Sequence, residues 1–231
     1  MSSTRREFLE RVGAGAAMLG ALPLSFDAAI RSAHGFTRSP ASATGDDKWD
    51  VSWVDKLTGK HKAVFDCAEI ESGYGVWRAA IWGKQYMEVL NIPAKELSTV
   101  IVLRHHGIAL AMQQGFWDEY GIGKAKSVIH PMTEQPTDRN PALLSSARGE
   151  IAADFDAVAL DKQIARGTVV LACNLAFGEC VGLIQARSNL SEEAARKKAV
   201  GLLVTGVVLQ PSGVFASLRA QEAGCVYLRS S

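Results

Sequence analysis

The chain has 231 residues, 48% of them hydrophobic and 21% charged, with a formal net charge of +1 at pH 7. That length and apolar content suit one globular domain with a sizeable core plus a tail. The near-neutral balance gives no electrostatic basis for binding nucleic acid or an anionic membrane, and no nucleic-acid partner is expected.

The first element in chain order is an address. Thr4-Arg5-Arg6-Glu7-Phe8-Leu9 leads into a weakly apolar stretch, 12–24, and then into small residues. This is the order of an export signal, and the apolar part is too short to span a bilayer. The arginine pair followed by Phe-Leu resembles a twin-arginine signal, although Glu10 stands where a basic residue is common. The expectation is a periplasmic protein delivered by the twin-arginine export machinery and cleaved near Ala43 or Ala33, with an uncleaved membrane anchor as the alternative. Residues 1–43 are then signal and linker, and 44–231 the mature domain. In an oxidising compartment Cys67, Cys173, Cys180 and Cys225 could be paired or free, and their spacing does not choose.

The mature domain reads as alternating strands and helices. Residues 62–66 form a short strand candidate, and 73–90 carry apolar side chains at helical spacing. Residues 99–104 are the clearest buried strand, ended by His105-His106-Gly107 and followed by a short helix over 108–114. From about 115 to 150 Pro and Gly interrupt every regular pattern. This insertion holds Trp117 and Tyr120 and is either a lid or subunit contact, or a surface loop. A helix is predicted over 154–166 and a strand over 168–172, closed by Cys173. Helix 174–186, a helix capped by Ser191, strand 202–209, helix 214–223 and strand 225–228 complete the chain. The pattern predicts an α/β fold: a single domain with a mostly parallel sheet of about five strands and helices on both faces.

In a parallel sheet the strand-to-helix junctions at Cys67, His106, Cys173 and Gln210-Pro211 fall on one edge, where open α/β folds place their crevices. Cys173 is the leading candidate there. It ends a strand and faces the amino end of the next helix, which favours the reactive thiolate. The alternative is a small buried hydrophobe. His106 is a candidate proton acceptor for it, and Asn174 and Ser212 are candidate hydrogen-bond donors. Trp117 and Tyr120 are candidate ligand contacts under the alternative of a non-catalytic binding module, or otherwise core residues. No metal is expected. His105 and His106 are adjacent, and neighbours on a strand point to opposite faces. No cofactor is expected either, since no dinucleotide or phosphate-binding glycine motif is present and Ser212 lies outside any nucleophile elbow.

Four segments then carry a family resemblance: His106-Gly107 after the second strand, Ala172-Cys173-Asn174 after the third, Val208-Leu209-Gln210-Pro211-Ser212-Gly213-Val214, and Leu218-Arg219-Ala220-Gln221-Glu222-Ala223-Gly224-Cys225-Val226-Tyr227. Together they resemble the DsrE/DsrF-like family, small α/β proteins associated with sulfur relay, over residues 62–229 apart from 116–147. The export signal and the insertion resemble an exported branch of it. The resemblance implies a five-stranded sheet, a homo-oligomer, a sulfur-transfer or redox partner, and a cysteine that carries sulfur. Cys173 is the position that matches the family's cysteine motif.

Overall fold

The computed structural model describes residues 49–231, which fall within one compact unit. The predicted signal, linker and cleavage positions lie outside the described residues. Five strands form one sheet in the order β4-β3-β2-β1-β5. They are β1 (His61–Cys67), β2 (Leu97–Leu103), β3 (Val169–Cys173), β4 (Val207–Gln210) and β5 (Val226–Arg229). Every neighbouring pair is parallel. The expected α/β architecture is therefore the observed one.

The three central strands are mostly apolar along their buried stretches, with Asp66 of β1 the buried acid among them, because both of their faces are covered. Phe65, Ile101, Leu103 and Val170 pack into the larger core with side chains of α1 (Tyr74–Leu90), α2 (Gln114–Tyr120), α5 (Asn174–Ser188) and α6 (Glu192–Gly201). Alternate residues, Val64, Val100, Val102, Val169 and Leu171, turn to the opposite face. There they meet Ala216 and Ala220 of α7 (Gly213–Glu222), together with Trp53. Two shorter helices, α3 (Ile122–Ala125) and α4 (Leu160–Ala165), complete the set.

The helix ends follow local chemistry. α1 and α5 stop where Asn91 and Asn189 turn left-handed, at φ 51° and 50°. Ser191 caps α6 by accepting from the Ala194 N–H, and Glu192 and Glu193 follow in the first turn, where the helix dipole favours acids.

Three predicted elements differ. The 154–166 helix is broken at Ala159, which is extended (φ −60°, ψ 141°). Before it lies a 3-10 segment, Ala153–Val158, and after it α4. The break is held by Gln163, whose amide donates to the carbonyls of Val158 and Val76, at 2.7 and 3.0 Å. Phe155 is 37% exposed and stacks on Trp77. The strand predicted over 202–209 shrinks to β4. Its first apolar residues serve other contacts, Leu203 bridging Met112 and the Val204 N–H donating to Ala111 O. In place of a helix over 108–114, a 3-10 turn runs from His105 to Ala111.

The interrupted segment is built into the core. Phe116, Trp117, Ile122, Val128, Ala142 and Leu144 are all buried in the larger cluster. Its irregular backbone is held by side chains: buried Asn140 donates to the carbonyls of Leu110 and Met112 and accepts from the Ala142 N–H. Among the described residues no helix is long and apolar enough to cross a membrane.

Candidate functional site

After β1, β2 and β3 the chain returns along the larger core, whereas after β4 it crosses the opposite face as α7. Connections therefore diverge between β3 and β4, the place where open α/β sheets form a crevice. Cys173 and Gln210, Cα partners in the β3–β4 register, end the two strands at that point.

Cys173 is 6% exposed. Its Sγ accepts a hydrogen bond from the Ala176 N–H at 3.5 Å, so the thiol itself caps the amino end of α5. Asn174 Oδ1 accepts from Arg196 at 2.7 Å, and that guanidinium lies over the Phe177 ring. Ser212 caps α7, its Oγ accepting from the Phe215 N–H at 3.0 Å. Gln210 is fully buried, and its amide nitrogen donates to Asp50 O and Leu209 O. Its Oε1 has no partner among the described residues, which leaves a buried acceptor beside the Cys173 strand end.

The other three cysteines are free and buried. Burial, reinforced by the neighbouring Asp66 charge, pushes the Cys67 thiol up to about 12. Burial does the same to Cys180, also to about 12, and raises Cys225. None of these three is poised as a thiolate.

The β1/β2 half of the same edge holds the other polar groups. Asp66, 2% exposed, receives the Arg104 guanidinium in a two-pronged pair, Nε to Oδ1 at 2.6 Å and Nη2 to Oδ2 at 2.7 Å. The Tyr227 hydroxyl donates to the same Oδ2 at 2.6 Å. The hydrogen bond to Asp66 holds the Arg104 guanidinium even higher than usual and raises the Tyr227 phenol. Gly213 must be glycine for this packing, because a Cβ there would stand 2.6 Å from the Arg104 side chain.

Beside it, Glu69 bonds both imidazoles, Oε1 to His105 Nδ1 at 3.0 Å and Oε2 to His106 Nδ1 at 2.9 Å. Burial raises the Glu69 carboxyl, but the hydrogen bonds from His106 and His105 outweigh it and hold the group below its usual range. β2 ends at Leu103, so the two histidines stand on the following turn, and His105 is left-handed at φ 48°. Strand alternation, the ground for keeping the two rings apart, does not apply here.

The candidates named from sequence thus divide. Cys173, Asn174 and Ser212 stand at the ends of β3 and β4, while His106 is bonded to Glu69 and to no sulfur among the described hydrogen bonds. Trp117 is fully buried, its indole N–H donating to Ala109 O at 2.8 Å, so it lines no open crevice. Tyr120 packs on Phe116, and its hydroxyl meets Glu119 and Lys198. A groove of about 600 Å³ lies at the opposite, amino end of the sheet, lined by residues including Ala80, Leu97, Thr99, Phe155 and Thr168.

Sequence reasoning missed Glu69, Asp66, Arg104 and Tyr227. The available signal was an acid at or just past the end of β1, opposite basic residues just past the end of β2. Comparison of the chain with family models, with curated proteins and with solved structures returned no match.

Proposed function

We propose that this is an exported thiol protein of the DsrE/DsrF-like kind, in which Cys173 exchanges sulfur with a partner. The observation that carries the reading is the Ala176 N–H donating to Cys173 Sγ at the amino end of a 15-residue helix, on the carboxyl edge of the sheet. A hydrogen bond and a helix dipole aimed at sulfur stabilise negative charge developing there. The raised thiols of Cys67, Cys180 and Cys225 leave Cys173 as the cysteine suited to react.

In the exchange step, Cys173 sulfur bonds to one sulfur of a disulfide or persulfide donor. The donor's S–S bond breaks, and its other sulfur departs with the bonding pair and takes up the thiol proton. The Ser212 hydroxyl and the Asn174 amide donate no hydrogen bond among the described residues, so each can donate to the leaving sulfur. His106, bonded to Glu69, has no role in this step. Export rests on the charged, apolar and small-residue order of the first 43 residues. Assembly into a homo-oligomer is supported by β5, an edge strand whose Val226 and Leu228 are 74% and 46% exposed.

The test is thiol exchange followed by peptide mass spectrometry. Wild type should acquire the donor's sulfur or mixed disulfide on Cys173, and Cys173→Ser should acquire none. Equal transfer to the variant would reject the reading. A second reading, a non-catalytic binding module, is favoured by the amino-end groove. A ligand screen by thermal shift distinguishes it, because binding there would be unaffected by Cys173→Ser.

A further inference from the structure

The β1/β2 half of the edge has features that the thiol reading leaves unused. One Glu69 carboxylate oxygen and one ring nitrogen from each of His105 and His106 lie within 4.8 Å of one another. The two rings are 4.1 Å apart, centre to centre. The three side chains are 46%, 56% and 40% exposed, so one side of the cluster is open to water.

The arrangement is imposed by the backbone. The turn bearing the histidines is tied to the loop bearing Glu69 by Arg104 N–H to Cys67 O (3.1 Å) and Gly107 N–H to Ala68 O (2.8 Å). The approach is so close that a Cβ at Gly107 would stand 2.3 Å from Cys67 O. His105 is held at φ 48°, a conformation few non-glycine residues adopt, and it is this that brings its ring beside that of His106. On the other side of the cluster, Glu71, Ser72 and Gly73 have positive φ in succession, fixing the turn after Glu69.

We propose that Glu69, His105 and His106 form a binding site for a first-row divalent cation such as zinc, cobalt or iron(II). Two imidazoles and one carboxylate on one side of a point suit these ions and leave the remaining positions to water or a small anionic ligand. The ion replaces the Glu69–imidazole hydrogen bonds, with each Nδ1 lone pair turned to the metal and each Nε2–H left to solvent. This site is independent of Cys173 and of the thiol reading.

The test is titration of chelator-treated, full-length protein with Co(II), read by its visible d–d absorption, by isothermal titration and by thermal shift. Wild type should bind one ion per chain and melt at a higher temperature when loaded. Glu69→Gln, His105→Asn and His106→Gln should each weaken binding at least about 10-fold. His105→Asn is chosen because Asn accepts the left-handed backbone. Circular dichroism of the metal-free variants must match wild type, so that lost binding is not lost folding. Cys173→Ala should bind as wild type does. Absence of stoichiometric binding, or binding that survives all three substitutions, would overturn the proposal, as would d–d bands lost in Cys173→Ala.

Discussion

The two halves of the carboxyl edge use their polar side chains in opposite ways. At β3 and β4, Cys173 and Ser212 each cap a helix, Asn174 is held by Arg196, and Gln210 is buried against backbone carbonyls. At β1 and β2, Glu69 bonds both His105 and His106, and all three stay open to solvent. The first half presents a single polarised sulfur beside side chains that cap helices or bond their neighbours, with the Ser212 and Asn174 donors left over. The second presents several groups whose bonds can be exchanged for a ligand. A shared edge therefore does not imply one shared site.

The largest expected effect is in the second half, where one member is structural. Asp66 is buried beneath Arg104 and Tyr227. Asp66→Ala should cost about 3 kcal/mol in urea unfolding, because it leaves the guanidinium and the phenol without their common acceptor. A loss no greater than that of an exposed surface pair would merge Asp66 with the open cluster. In the first half, Ser212→Ala should cost about 1 kcal/mol, the usual value of a helix cap, and Ser212→Gly less.

The smallest effect concerns Glu69. Its folded carboxyl lies below the ordinary value of 4.5, so its contribution is present above that pH and is lost as pH falls through the lower folded value. The group is half exposed, so the increment is small. Glu69→Gln should lower stability slightly near pH 7, where the contribution is present, and remove that part of the fall in stability below about pH 4.5. An unaltered acid limb would mean that the imidazole bonds contribute nothing in solution.

Much of the fold was legible because strands buried on both faces read as unbroken apolar runs, as in residues 99–103 and 168–172. Cys173 and Ser212 were legible as the last and first residues around such runs. What was not legible depended on tertiary contacts. Gln163 splits a helix by bonding Val76, 87 residues away in sequence. Asn140 draws an irregular segment into the core through carbonyls 28 and 30 residues distant. The pairing of Glu69 with both histidines needed β1 and β2 in register and His105 left-handed, and nothing in a His-His-Gly string reveals that conformation. The aromatics of the insertion read as a possible lid because Pro and Gly suggested a loop, whereas Trp117 is core.

The most direct test of the account is the rate of alkylation of the four cysteines in the native protein, followed by peptide mass spectrometry. Cys173 should be labelled first near pH 8, while Cys67 and Cys180, with thiols near 12, should resist until the protein is unfolded. Labelling of Cys173 no faster than that of Cys67 and Cys180 would contradict the account and make all four cysteines structural.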